Sequence, residues 1–89
     1  MELKQYNESL ICFNKAINIK PKEATFHNSK GLCYLEMNEF EFSIGSFTKA
    51  SQIEPENEIY LNNINLAKNK QIGNKFSLKS FLQELIPFY

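Results

Sequence analysis

The feature that most constrains this chain is an internal repeat with a period of 34 residues. An aromatic, small, aromatic, small and proline pattern occurs twice, and the matched pairs are Tyr6 with Phe40, Ser9 with Ser43, Phe13 with Phe47, Ala16 with Ala50, and Pro21 with Pro55. A looser match continues the repeat, pairing Phe26 with Tyr60 and Asn28 with Asn62. A fixed period of roughly 20–50 residues predicts a stacked array of helices. Such an array usually works by presenting a surface.

Residues 24–57 resemble one complete tetratricopeptide repeat. The positions of the family pattern, which asks for a large apolar residue, leucine, glycine, tyrosine, alanine, phenylalanine and proline, are held here by His27, Lys30, Gly31, Tyr34, Ser43, Phe47 and Pro55. His27, Lys30 and Ser43 depart from that pattern, and Asn65 stands where Gly31 would recur. The resemblance implies that residues 3–21 are the second helix of a preceding repeat. It also implies that residues 58–72 are the first helix of a following one.

The helix signals predict an all-α fold in a single domain covering residues 1–89. The spacing of apolar residues and the breakers predict about five helices, at residues 3–19, 23–37, 39–53, 58–71 and 77–86. Asn38 is a plausible left-handed stop, Asn57 a plausible N-cap, and Ser77 a second N-cap after a break at Gly73 and Asn74. The resemblance implies antiparallel hairpins stacked as a short right-handed solenoid. We expect the helix at residues 77–86 to pack on its predecessor as a capping helix.

Composition excludes several classes of function. The formal net charge is zero and arginine is absent, so neither a basic nucleic-acid arm nor guanidinium recognition of bases is predicted. The apolar runs are much shorter than the roughly 18 residues that a membrane-spanning helix needs, and no secretory signal is visible. Cys12 and Cys33 fit reduced thiols better than a disulfide framework. We therefore expect a cytoplasmic protein that binds neither nucleic acid nor a membrane.

Catalysis and cofactor binding have no support in the sequence. The soft metal ligands are Cys12, Cys33 and His27, and they lack the closely spaced pairs typical of zinc sites. Glu36 and Glu39 lie near the predicted hairpin turn, where a solvated acidic corner is the simpler interpretation. The three glycines are isolated and do not form a phosphate-binding loop. We expect no enzyme activity, no metal and no cofactor.

The resemblance implies that the binding surface is the concave face, which the first helix of each repeat builds. The residues predicted to line this peptide groove are Thr25, Asn28, Leu32, Leu35, Glu36, Ile59, Asn62, Leu66, Asn69 and Lys70. The alternative is an ordinary solvated helix face, or a face covered by further repeats. A chaperone-type carboxylate clamp needs two cations, whereas this stripe offers only Lys70.

The first helix carries a second candidate surface. Its apolar stripe, Tyr6, Leu10, Phe13 and Ile17, is patterned to pack against a preceding helix. This stripe could dock another chain, including a second copy. The predicted function is therefore a protein-binding module or scaffold. The alternatives are a structural subunit locked in a large assembly and, less favoured, a co-chaperone.

Overall fold

The computed structural model describes the backbone of residues 3–85 and the side chains of residues 3–73. Within that range the regular elements are all helices, without strands: α1 (Leu3–Ile19), α2 (Ala24–Glu36), α3 (Phe40–Ile53) and α4 (Glu58–Leu85). The predicted all-α class is confirmed. The number of helices is four where the sequence predicted five, because α4 spans two of the predicted helices.

The α2–α3 hairpin is built on small residues that let two backbones approach closely. Ser43 Oγ donates a hydrogen bond of 2.8 Å to the carbonyl oxygen of Gly31. A Cβ atom at Gly31 would lie only 2.6 Å from the ring of Phe47, so only glycine fits there without a shift. Ala24 and Ala50 meet at the other end of the hairpin, where both are fully buried. These contacts pair the start of α2 with the end of α3, so the two helices are antiparallel, as predicted.

Two asparagines set the ends of the helices around this hairpin, both as predicted. Asn38 has a φ of 61°, a left-handed conformation that asparagine tolerates better than most residues, and it lies just after α2. Asn57 precedes α4, and its Oδ1 accepts a 3.0 Å hydrogen bond from the backbone amide of Ile59. That bond satisfies one of the amides left without a partner in the first turn of a helix.

The core lies between α2, α3 and the first half of α4. Tyr60 packs with Ala24 and Ala50 in one cluster, and Phe47 packs with Ile64 and Ala67 in a second. The hydroxyl of Tyr60 also donates a 3.2 Å hydrogen bond to Glu54 Oε1, across the turn between α3 and α4.

The predicted helix end at Gly73 and Asn74 is wrong, because α4 continues through both residues to Leu85. A glycine after a helix ends it by adopting a left-handed conformation, and Gly73 has no positive φ. Inside a helix, glycine costs only about 1 kcal/mol relative to alanine. Residues 77–85 therefore extend α4 and do not fold back on it as a separate cap, and Ser77 lies inside the helix. Ile86 lies outside the described residues.

The first helix is the least buried of α1, α2 and α3, since no described residue of α1 is buried. Its main described contact is with α2, to which it runs antiparallel. Near its start, Cys33 Sγ donates to the carbonyl oxygen of Tyr6 at 3.6 Å. Beyond its end, His27 Nε2 lies 3.1 Å from the carbonyl oxygen of Pro21. A carbonyl can only accept, so Nε2 carries the proton, and buried His27 serves the α1–α2 connection.

Candidate functional site

The helices α2 and α4, which the sequence predicts to be the first helices of neighbouring repeats, are joined by a polar contact. Asn63 Nδ2 donates a 2.8 Å hydrogen bond to Asn28 Oδ1, and both side chains are half-buried. The two residues are 35 positions apart, so this bond joins successive units of the repeat. It fixes the side of α2 that faces α4.

Exposed apolar side chains flank this bond on both helices. On α2, Thr25 and Leu32 lie three residues before and four residues after Asn28, which places them on the same side of the helix. On α4, Ile59 and Leu66 hold the corresponding places around Asn63. Leu32, Ile59 and Leu66 are 41%, 58% and 44% exposed, respectively. We call this surface the α2–α4 face, and its residues are Thr25, Asn28, Leu32, Ile59, Asn63 and Leu66.

Of the remaining residues predicted for the groove, one is in the core and four are exposed on α2 or α4. Leu35 does not line the face: it packs against Phe47, Ile64 and Ala67 in the core, because it lies one full turn from core-facing Gly31. Four others are exposed on α2 or α4, namely Glu36, Asn62, Asn69 and Lys70. Sequence reasoning missed Asn63, whose spacing from Ile59 and Leu66 could have indicated it.

A second surface is an open groove between α1 and α2, which we call the α1–α2 groove. It has a volume of about 260 Å³ and is lined by Tyr6, Ser9, Phe13, Ser29, Leu32, Cys33 and Glu36. Burial and then the Glu36 carboxylate raise the pKa of the Tyr6 hydroxyl, and the same two causes raise the pKa of the Cys33 thiol. The groove is thus mostly apolar, with a single carboxylate among its described lining residues.

The predicted docking stripe of α1 is split between two places. Tyr6 and Phe13 line the α1–α2 groove. Ile17 instead lines a separate depression of about 560 Å³, next to Pro21, His27 and Lys49. All four residues of the stripe, Tyr6, Leu10, Phe13 and Ile17, are half-buried.

An aromatic pair on the outer side of the α2–α3 hairpin was not predicted. The rings of Tyr34 and Phe42 stack with their centroids 5.3 Å apart, although Phe42 is 63% exposed. Lys30 Nζ lies 5.9 Å from the centroid of Tyr34. Phe42 escaped the sequence analysis because it does not belong to the repeated pattern.

The chemistry that the described residues offer is contact and hydrogen bonding. Within residues 3–73 no group of three or more His, Cys, Asp or Glu side chains is placed to hold a metal ion. No helix in the described part of the chain combines the length and apolar character needed to cross a membrane. The two surfaces present apolar side chains beside amides, hydroxyls and one carboxylate.

The fold and these surfaces define a helical-repeat protein whose antiparallel hairpins present side chains for contact. The tetratricopeptide repeat family matches the chain at residues 1–23, which cover α1 and the turn that follows it. This match covers α1 and supports the resemblance to the tetratricopeptide repeat family, which residues 24–57 carry in the sequence. No curated protein sequence matches the chain significantly.

Proposed function

We propose that the chain binds another protein through the α2–α4 face, and that it acts by binding and not by catalysis. In this proposal its helices form a short right-handed solenoid in a cytoplasmic protein. The observation that carries the proposal is the 2.8 Å hydrogen bond between Asn63 and Asn28, which joins the helix that carries exposed Leu32 to the helix that carries exposed Ile59 and Leu66. Tetratricopeptide repeats generally mediate interactions between proteins, which supports the same function.

The chemistry of the face suits a peptide segment with apolar side chains. Leu32, Ile59 and Leu66 would lose water on contact, and burial of apolar area gives about 25 cal/mol per Å². The bond between the two amides uses one oxygen and one nitrogen. It leaves the Nδ2 donors of Asn28 and the Oδ1 acceptor of Asn63 for the backbone of a bound peptide.

Two single substitutions that each introduce a positive charge on α4 test this function. Leu66→Lys places a charge on the face, and Leu61→Lys is its control, because Leu61 is similarly exposed at 47% but lies on another side of α4. We expect proteins captured by the tagged wild-type chain from its source cell to be retained by Leu61→Lys. Leu66→Lys should lose them by at least about tenfold, equivalent to roughly 1.4 kcal/mol. Equal capture by both variants would reject the α2–α4 face as the binding site.

The second candidate is a structural subunit held in a larger assembly, including self-association through the stripe of α1. The observation that favours it is the absence of any buried residue among the described positions of α1. Analytical ultracentrifugation of the purified chain at micromolar concentration separates the two candidates. A stable monomer favours the binding module, and association that Phe13→Ser abolishes favours the subunit. A co-chaperone remains the least supported candidate, because Lys70 is the single cation predicted for the groove.

A further inference from the structure

We infer that the α1–α2 groove receives one helix of a partner protein, with glycine or another small residue where that helix crosses Phe13. We also infer a basic residue near the C-terminal end of that helix. The inference rests on the proposed function in that the occupant is a protein. Leu32 borders both surfaces, so the residues that separate this inference from the α2–α4 face are those of α1 and α4.

The basis is that the same trough occurs twice in this chain, and one of the two is filled. The filled trough lies between α3 and α4, and α2 lies in it. On the α3 side it is formed by Ser43, Phe47 and Ala50, all with no exposed surface. On the α4 side, Asn63 bonds to Asn28 of α2, and Ala67 is fully buried beside Phe47.

The open trough is the filled one moved back by one repeat of 34 residues. The counterparts of Ser43, Phe47 and Ala50 are Ser9, Phe13 and Ala16 on α1, and those of Asn63 and Ala67 are Ser29 and Cys33 on α2. Four of these counterparts, Ser9, Phe13, Ser29 and Cys33, line the α1–α2 groove. The α1–α2 groove therefore repeats both walls of a seat that is known to hold a helix.

The filled trough specifies the small residue of the occupant. In the filled trough, the nearest ring atoms of Phe47 lie only 2.6 Å from the position that a Cβ atom of Gly31 would take. Phe13 holds the same place on α1, so a helix that settles equally deeply needs glycine or another small residue opposite it. Ser9 Oγ would then donate to the carbonyl oxygen of that residue, as Ser43 Oγ does to Gly31 at 2.8 Å.

Charge specifies the other end of the occupant. Because α2 runs antiparallel to α3, an equivalent helix on α1 would end near Tyr6 and Glu36. Glu36 is the charged residue among the described lining of the groove. A lysine or arginine there would face this carboxylate and would also interact favourably with the C-terminal end of its own helix dipole.

A chain that carries its own occupant tests the fit. Residues 24–39 are copied in front of Tyr6 in place of residues 1–5, which reproduces the natural spacing between α2 and Phe40. We expect amide exchange in α1 to slow by at least about tenfold, because α1 gains the packing that protects α3. The matched control has leucine in place of glycine in the copied segment and should give no such protection. A copied segment with lysine in place of its copy of Glu36 should protect more than the original.

A free peptide of residues 22–38 supplies the same test without changing the chain, should the extended chain fail to fold. At millimolar concentration it should slow the exchange of α1 amides in the wild-type chain, and its glycine-to-leucine form should not. Equal effects of the glycine and leucine forms, or no effect from either, would overturn the inference.

The extended chain also separates this inference from the proposed function. Its groove is filled, so it should lose partners that insert a helix beside α1, while partners of the α2–α4 face remain sensitive to Leu66→Lys. A wild-type dimer that the extension converts to a monomer would identify a second copy as the occupant and would contradict a separate partner.

Discussion

α1 and α3 carry serine, phenylalanine and alanine at equivalent positions, but these side chains are buried in α3 and partly exposed in α1. Ser43, Phe47 and Ala50 of α3 have no exposed surface, whereas Ser9 and Phe13 of α1 line an open groove. The difference arises from the neighbours, because α3 packs extensively on both α2 and α4, whereas the extensive described contacts of α1 are with α2. A repeated pattern thus predicts which helix face requires a partner, and the rest of the chain decides whether one is present.

The energetic scale of this difference is large for a chain of 89 residues. Fully burying a phenylalanine side chain contributes about 1.5–3 kcal/mol relative to leaving it exposed. The total free energy of unfolding for a domain of this size is only about 4–13 kcal/mol. Filling the α1–α2 groove would therefore change stability by a substantial share of the total.

Truncating the two equivalent phenylalanines gives the largest expected contrast. We expect Phe47→Ala to lower the free energy of unfolding by about 3–5 kcal/mol, because it leaves a cavity in the core. Phe13→Ala should cost less than about 1 kcal/mol, since its side chain already faces solvent on one side. Urea denaturation followed by circular dichroism measures both. Equal losses would mean that α1 is as well packed as α3.

Enlarging two glycines distinguishes the close helix contact from an open helix surface. Gly31→Leu should destabilise the fold by about 1–3 kcal/mol through overpacking against Phe47. Gly45→Leu is the control: nothing lies within 4 Å of its Cβ position, so better helix propensity should stabilise it by up to about 1 kcal/mol. Thermal unfolding gives both signs. An unchanged melting temperature for Gly31→Leu would contradict a close contact between α2 and α3 at this residue.

The bond between Asn28 and Asn63 can be isolated by a double-mutant cycle. Each single change to alanine should destabilise the fold, and the coupling energy between them should be about 0.5–1.5 kcal/mol. Asn62→Ala, one residue away and exposed, should show no coupling to Asn28→Ala. A coupling energy between Asn28 and Asn62, with none between Asn28 and Asn63, would mean that α4 is rotated about its axis. The α2–α4 face would then consist of other residues.

Alkaline pH should change the free energy of unfolding least, and the group concerned is Tyr60, on the core side of α4. Burial and then the Glu54 carboxylate raise the pKa of Tyr60 above its ordinary value of 10.0, so the folded state favours the neutral hydroxyl. The resulting stability is fully present below pH 10 and is lost as the pH rises through the folded-state pKa. Denaturation curves at pH 8 to 11 should show a loss that is smaller in Tyr60→Phe. An identical loss in both proteins would assign it to other groups.

The elements that sequence predicted well are those with local causes. Asn38 and Asn57 set helix ends through their own conformation and side chain, and Gly31 marks the close contact because its spacing recurs in a known pattern. The helix end predicted at Gly73 was wrong, because a glycine can either end a helix or lie inside one. Its φ angle distinguishes the two cases, and the sequence does not give that angle. Leu35 could not be placed from the period alone, and its packing against the cluster of Phe47, Ile64 and Ala67 shows that it faces the core. Asn63 could have been placed, since it lies four residues after Ile59 and three before Leu66.

Native-state hydrogen exchange on the unmodified chain tests the contrast between α1 and α3 most directly. Amides around Phe13 and Phe47 are compared in the same sample, so that pH and temperature are shared. Because α1 can open without disturbing the core, we expect its amides to exchange at least about a hundredfold faster than those of α3. Equal protection of the two helices would contradict the claim that α1 presents an unfilled seat for a partner helix.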